Sequence, residues 1–547
     1  MTILPLGDSA AVIVLGETID SAVAARARAR AIAQRIGRQR PAWVCDVVPA
    51  FASVAVHFNL LLAPDFEEVR AELTRLATGV EPMAGAQRTV EIPVVYGGEA
   101  GPDLADVARH TGLTEAEVIA RHAAAGYEVH AIGFAPGFPY LGGLPPELAV
   151  PRRATPRPCV PAGSVGIGGA QTGAYPLASP GGWNLIGRTP LALFDPHRTE
   201  PALLRAGDRV KFRAVTGADF PPAQSGEKFA APPADERRSP AAFEIMRPGV
   251  FTTVQDLGRP GHRAQGVALG GAADPFALRL ANLLVGNAED AAGIEFTLTG
   301  PEIVFHRAAL IALGGAEIEG VPAWRPFAVR AGATLNLGAL RRGARGYLAI
   351  AGGIDVAPVL GSRGTLVRGG FGGLAGRALR GGDRLPVPEV RRDPGGHWQI
   401  DPRMLPELAQ PAVLRVVAGE QAGEFEAGWM AHEFKATAQS DRMGVRLSGA
   451  ALRRNTSRER LSAPVAPGTV QVPPDGQPIV LLADAQTIGG YPRVAHVIAV
   501  DLPRAAQLRP GDAVRFTAVS LAEARRLAHA QERALIVLRA GLAQKLR

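Results

Sequence analysis

Three arginines and one twice-used polar word carry most of the chemistry this 547-residue sequence offers. The word is Gln171-Thr172-Gly173-Ala174-Tyr175-Pro176 in the first half and Gln486-Thr487-Ile488-Gly489-Gly490-Tyr491-Pro492 in the second. It is polar where a barrel strand should be apolar. Its amides and hydroxyls either close local turns or form neutral donors and acceptors aimed at an amide, lactam or carboxylate. Arg188, Arg259 and Arg442 each sit in Gly-rich surroundings, and a guanidinium suits bidentate recognition of carboxylate or phosphate. Arg259 has two readings: it pairs with Asp256 structurally, or it faces a ligand together with Asp274. The run Gly133-Phe134-Ala135-Pro136-Gly137-Phe138-Pro139-Tyr140-Leu141-Gly142-Gly143 holds no titratable group. Its Phe138 and Tyr140 either plug a barrel mouth or line a rigid ligand-facing wall.

These residues need elements to position them, and the patterning predicts a mainly β protein with an α+β N-terminal domain. Residues 1–85 read as the small α+β domain, with strands at 9–15, 43–48 and 53–58 and helices at 20–36 and 66–76. A strand at 91–96 follows, and then two short helices, the second opened by a Thr114–Glu117 capping box. From Tyr127 short apolar runs divided by Gly and Pro replace helical periodicity, so 86–216 reads as a β-barrel. Residues 217–243 read as a linker, 244–408 as a β-rich domain with one helix at 275–284, and 409–547 as a second barrel ending in a helix over 520–544.

The two barrels read as diverged copies of one unit. Val160-Pro161-Ala162-Gly163-Ser164-Val165, the first Gln-Thr word and the run 205–212 recur in the same order as 465–470, the second Gln-Thr word and 509–516. A cleft between such copies is a natural ligand site.

Composition removes several classes. The net charge of +8 comes from 59 basic side chains of which only Lys211, Lys228, Lys435 and Lys545 are lysines, and the arginines are dispersed with few aromatics among them, which speaks against nucleic-acid binding. Cys45 and Cys159 stand far apart without CxxC or His pairs, which fits a cytoplasmic protein without disulfides or zinc. No apolar run reaches membrane-spanning length, and no secretory signal precedes Asp8. Phosphate-loop, HExxH, GxSxG and dinucleotide fingerprints are absent, as is the Met-Lys word of a covalent biotin carrier.

The long words are specific enough to show a resemblance. GFAPGFPYLGGL at 133–144, VPAGSVGIGGAQTGAYP at 160–176 and SPGGWNLIGRTP at 179–190 resemble the carboxyltransferase domain C/D family, which includes KipI and the 5-oxoprolinase B subunit. TVQDLGRPGHRAQGV at 253–267, LANLLVGN at 280–287, AGGIDVAPVLGSRGT at 351–365, SDRMGVRLSG at 440–449 and PGTVQVPPDGQPIVLLADAQTIGGYP at 467–492 resemble the A/B family, which includes KipA and the 5-oxoprolinase C subunit. The resemblance implies a fusion of the B-type and C-type chains with cyclophilin-like barrels. It further implies ATP- and Mg²⁺-dependent opening of 5-oxoproline to glutamate with a separate 5-oxoprolinase A subunit, of the LamB/YcsF type.

On that resemblance Arg188, Arg259 and Arg442 are expected at phosphate, and Asp274, Asp484 or Glu295 at Mg²⁺. Phe138, Tyr140, Gln171, Thr172, Tyr175, Gln486, Thr487 and Tyr491 are expected around the small-molecule substrate. No residue is expected to be a permanent metal ligand, and homo-oligomerisation is compatible with all of this. The sequence departs from the family words at Gly270, Ala463, Ala485 and Ile488, where polar or charged groups are usual. Two alternatives use the same modules: the carboxyltransferase part of urea carboxylase, and a histidine-kinase regulator of the KipI/KipA kind.

Overall fold

A computed structural model describes residues 1–16, 19–81, 88–216, 241–390, 398–456 and 461–545. The N-terminal unit contains β1 (Thr2–Pro5), β2 (Ala10–Val14), α1 (Ile19–Gln39), β3 (Val44–Pro49), β4 (Ser53–Phe58) and α2 (Phe66–Ala77). Its strands form one antiparallel sheet in the order β1-β2-β4-β3. Asp65 caps α2 by accepting from the Glu68 amide at 3.0 Å, and Phe66, Val69, Leu73 and Leu76 at helical spacing turn one face into the core.

The next unit contains β5 (Thr89–Tyr96), α3 (Leu104–Thr111), α4 (Glu115–Ala124), β6 (Gly126–Ile132), β7 (Pro139–Gly142), β8 (Arg157–Val160), β9 (Ser164–Gly168), β10 (Gln171–Ala174), β11 (Ser179–Gly181), β12 (Asn184–Arg188) and β13 (Arg209–Ala214). Seven of these strands close a barrel in the order β10-β7-β6-β13-β5-β12-β9. Both arms of the expected capping box form at α4.

The second half opens with β14 (Ala241–Arg247), β15 (Phe251–Gln255), α5 (Pro275–Leu284), β16 (Gly293–Thr297), β17 (Glu302–Phe305), β18 (Ala309–Ile318), β19 (Pro326–Val329), β20 (Thr334–Asn336), β21 (Leu340–Ile350) and β22 (Arg384–Pro386). Of the stretch read as a linker, 217–240 lies outside the described residues and 241–243 begin β14. Two sheets, β20-β17-β14-β22 and β15-β16-β21-β18-β19, enclose a core built on Phe243, Phe296, Phe305 and Leu348.

The last unit contains β23 (Ala412–Ala418), β24 (Phe434–Ala436), β25 (Gly444–Ser448), β26 (Ala463–Pro464), β27 (Thr469–Gln471), β28 (Ile479–Leu481), β29 (Ile488–Gly489), β30 (Arg493–Val497), α6 (Leu502–Ala506), β31 (Ala513–Ala518) and α7 (Leu521–Lys545). Its barrel closes as β23-β30-β27-β28-β25-β24-β31. Strand for strand this is the cyclic order of the first barrel, down to the one parallel pair, β5 with β13 and β23 with β31. Gly163 and Gly468 explain one shared word: at φ of +83° and +91°, an added Cβ would meet the Thr189 carbonyl at 2.3 Å and the Val497 carbonyl at 2.6 Å. The other shared word builds the same turn twice, with Asp208 and Asp512 each accepting the amide three residues back at 2.8 Å.

The Gln-Thr word is a false match. Gly163 donates to the Tyr175 carbonyl as Gly468 does to that of Leu481, both at 2.7 Å, which makes Tyr175 the counterpart of Leu481. Thr172 therefore corresponds to Pro478, while Gln486 and Thr487 lie beyond β28 on the approach to β29. Short words of turn-favouring residues recur easily, and the hydrogen-bond register decides the equivalence.

The halves are sewn together by a shared core. Leu6 and Phe51 of the N-terminal unit, Phe138, Tyr140 and Trp183 of the first-barrel unit, and Ala466 and Ile488 of the last unit bury one another. Among the described residues no helix is long and apolar enough to cross a membrane.

Candidate functional site

The structure gathers Arg442, Asp484, Glu295 and Asp274, four residues expected at phosphate and metal, and it spends them on internal partners. Arg442 forms a two-pronged pair with Asp484, both contacts at 2.9 Å, and also donates to Glu295 and to the Gly271 carbonyl. Glu295 further accepts from the Ala273 amide and the Tyr347 hydroxyl, each at 2.8 Å. Burial pushes the Glu295 carboxyl up, but Arg442 and Arg345 overcome it and hold the group below its ordinary range. Asp274 caps α5 through the Ala277 amide at 2.9 Å and accepts from Gln507 at 2.9 Å. Burial raises its pKa.

Arg259 lies fully buried under the Phe371 ring, 5.2 Å from its centroid, and donates to Ser362 and the Gly364 carbonyl. Its Nε and Nη1 have no partner. Asp256 accepts from the Ser362 hydroxyl at 2.6 Å and does not bond Arg259 directly. With these carboxylates filled by internal partners, the set does not fit a magnesium–nucleotide complex. No group of three His, Cys, Asp or Glu among the described residues is arranged to hold a metal ion.

Arg188 stands apart from this network, at the end of β12, where its Nε donates to the Ala162 carbonyl at 2.8 Å. The expected aromatic substrate wall is instead core. Phe138 makes edge contacts with Tyr140, Tyr175 and Trp183 at 5.3, 5.2 and 5.7 Å, and all four rings are buried. Thr172 is buried inside the first barrel, bonded to His122 at 3.0 Å and to the Gly166 carbonyl, while Gln171 is half-buried at the start of β10. Thr487 is buried and its backbone carbonyl holds the Val465 amide. These residues answer to packing, because each fills a place where a barrel or an interface closes.

An open cleft lies elsewhere, where the N-terminal sheet faces the second barrel. This cleft of about 90 Å³ has an apolar wall of Leu4, Val12, Val14 and Ala52. The opposite wall is polar and includes Glu420, Ser462, Tyr491 and Arg493. Of the residues expected around the substrate, Tyr491 lines this cleft and is 47% exposed. Behind Gly489, Gln486 donates to Gln471 at 3.3 Å, and Gly489 is close enough that a Cβ there would meet the Gln471 amide at 2.6 Å.

The charged floor of the cleft is built by β23 and β30. Glu420 follows β23, and its side chain is only 3% exposed. Its Oε2 lies 3.2 Å from Arg493 Nε and 3.3 Å from His496 Nε2. His496 Nδ1 in turn contacts the Thr469 hydroxyl at 3.2 Å. Burial alone would raise the Glu420 carboxyl, yet Arg493 and His496 draw it down to about 2, so it stays ionised. Arg493 also holds the Pro464 carbonyl at 2.8 Å, which fixes the wall that carries Ser462 and Ala463.

This architecture has relatives. Residues 1–204 match the family described as carboxyltransferase domain, subdomain C and D, and residues 265–518 match subdomain A and B. The 5-oxoprolinase B subunit of Bacillus subtilis is 46% identical over 39% of the chain and 93% of its own length. The 5-oxoprolinase C subunit of Escherichia coli is 42% identical over 53% of the chain and 96% of its own length. The chain belongs to the carboxyltransferase-domain family, as a fusion of its C/D and A/B types. A crystal structure of TTHA0988 superposes with a TM-score of 0.81 at 38% identity, covering 93% of this chain and 99% of that one. The urea amidolyase of Lachancea kluyveri is 34% identical over 56% of the chain and 18% of its own length.

In family terms the cleft forms where the C/D region meets the A/B region, since Leu4, Val12 and Ala52 come from the first and Glu420, Ser462 and Arg493 from the second. The sequence reading missed Glu420, Gln421, Arg493 and His496. Arg493 was the available signal, because it directly follows Tyr491-Pro492. Glu420 carries no local signal, and only barrel closure brings it to a partner 73 positions away.

Proposed function

We propose that the chain is the joined B and C component of a 5-oxoprolinase and that the cleft between its N-terminal sheet and second barrel receives 5-oxoproline. The observation that supports this most is the order and extent of the relatives: the B type, then the C type, each matched over more than nine-tenths of its length. The cleft chemistry agrees. Leu4, Val12 and Val14 offer an apolar face to the ring methylenes, while Ser462, Tyr491 and Arg493 offer donors to a carbonyl and a carboxylate.

Opening a stable five-membered lactam is uphill in reactivity, and coupling to ATP supplies the activation. In this chain the residues' own work is to bind the ring, orient its amide and keep water off the apolar face. The Arg442–Asp484–Glu295 network ties the second barrel to the sheet layer before it, and the nucleotide is assigned to none of its groups. Hydrolysis to glutamate is completed by the separate 5-oxoprolinase A subunit.

The test mixes this chain with an active A subunit, then follows 5-oxoproline-dependent ATP hydrolysis and glutamate release. Both should appear together. Absence of both overturns the reading. A second reading draws on the similarity to urea amidolyase: carboxyl transfer to urea, with biotin borne by another protein. Urea-stimulated decay of carboxylated biotin, with no response to 5-oxoproline, would favour it.

A further inference from the structure

The cleft contains a buried carboxylate with one idle oxygen. Glu420 Oε2 is held by Arg493 and His496, but Oε1 is buried and has no hydrogen-bond partner. Leaving such an oxygen empty costs on the order of 1–3 kcal/mol, and more for a charged group, so its retention calls for a use. Its position supplies one, because Glu420 is among the residues that line the cleft, with Oε1 itself shielded from solvent.

The arrangement exists in only one of the two barrels. The backbone register that pairs Val417 with His496 also pairs Val95 with Arg188, so the counterpart of His496 is Arg188 and that of Glu420 is Gly98. Barrel closure evidently needs neither the carboxylate nor the imidazole. The apolar wall of β1 and β2 completes the enclosure over the second barrel.

We infer that Glu420 is the group that reads the ligand's N–H: its Oε1 accepts from the amide nitrogen of a small cyclic amide, reached by a small displacement of the cleft wall. Arg493 and His496 hold the other oxygen, so the carboxylate presents a fixed, charged acceptor to the ligand. A charge-assisted bond of this kind is roughly twice as strong as a neutral one. A ligand that lacks the N–H leaves the acceptor unfilled and is rejected. This assignment rests on the cleft being the lactam site.

The test is calorimetric titration of the full chain with 5-oxoproline, with its N-methyl derivative and with urea. The wild type should bind 5-oxoproline at least tenfold more tightly than the N-methyl form. Glu420→Gln should lose about tenfold in affinity for 5-oxoproline and leave the N-methyl form unchanged. Glu420→Asp keeps the charge opposite Arg493 but withdraws the oxygen, and it should show the same loss if the Gln variant fails to fold. In the assay with the A subunit, KM should rise while kcat stays within about twofold, a split that general loss of structure would not produce. Equal binding of the two lactams by the wild type, or wild-type affinity in Glu420→Gln, overturns the assignment while leaving the oxoprolinase reading intact. Urea bound in place of lactam, and weakened by Glu420→Gln, sustains the carboxylate's role and overturns the lactam reading. A chain that binds none of the three overturns the assignment.

Discussion

Arg442 has the composition of a phosphate clamp and the position of a rivet. Its guanidinium meets Asp484 from its own barrel and Glu295 from β16, so it joins the last barrel to the sheet layer before it. Removing one partner from such a buried cluster typically costs about 3–5 kcal/mol, because the remaining charges lose their compensation. Arg442→Met should therefore lower the urea unfolding midpoint strongly, by an amount on that scale, with no selective effect on ligand affinity in whatever folds. Wild-type stability in this variant would show that the network bears on binding instead. Glu420 should behave oppositely in acid. Its pKa is drawn down to about 2, so its stabilising share is complete above 4.5 and is lost as pH falls toward 2. In stability measured against pH, Glu420→Gln should run flatter than the wild type across that window and nearly parallel to it above.

At the scale of elements, the hairpin of β1 and β2 is the lid that makes the cleft a cleft. Its turn docks on the second barrel: Asp8 accepts the Ala499 amide at 2.9 Å, and Gly7 sits against His496, where an added Cβ would stand 3.5 Å from the His496 Cβ. Burial raises the Asp8 carboxyl to about 6 against the pull of that amide. The folded protein thus holds a proton that the unfolded chain releases near 3.8, so this share of stability is full below 3.8 and lost as pH rises through 6. At about 1.4 kcal/mol per pKa unit, the effect is large enough to measure. Asp8→Asn should abolish the dependence between pH 4 and 6, read as the pH profile of the thermal midpoint; an unchanged slope would place the proton elsewhere. These elements were largely legible in the sequence. The helix predicted at 66–76 runs Phe66–Ala77, and the one at 275–284 is Pro275–Leu284, because caps and apolar spacing are local signals. Local signals also misled. The Gln-Thr word matched Thr172 to Thr487, whereas ladder register makes Pro478 the counterpart of Thr172. Glu420 was invisible for the same reason, since its meaning comes from two strands that closure of the barrel brings together.

At the scale of the whole molecule, two relatives that exist as separate chains are here one body, and the seam between them is packed like an interior. The loop before β7, rich in Gly and Pro, makes the seam possible. Gly137 donates to the Gln265 carbonyl at 2.8 Å, and Phe194 packs tilted against Phe371 at 5.8 Å between centroids. Gly133 lies so close to the second barrel that a Cβ would stand 2.7 Å from the Ile488 side chain. Helix α7 adds a strap: Leu535 is fully buried against the α5 layer, while Arg525 donates to the Ala63 carbonyl of the N-terminal unit at 2.9 Å. Burial of this kind does not depend on the covalent link. Residues 1–216 and 241–547 produced as two chains should therefore associate when co-expressed and copurify as a one-to-one complex. Gly133→Leu must force Ile488 and its neighbours aside, and overpacking of this order costs about 1–3 kcal/mol. It should weaken the two-chain complex by roughly five- to a hundredfold in dissociation constant, measured by sedimentation, while each half keeps its own melting transition. Because the cleft draws Val12 from one half and Arg493 from the other, the same substitution should also weaken ligand binding. Halves that stay apart, or a Gly133→Leu pair that binds as tightly as the wild type, would mean that the covalent link holds the seam closed and that packing does not.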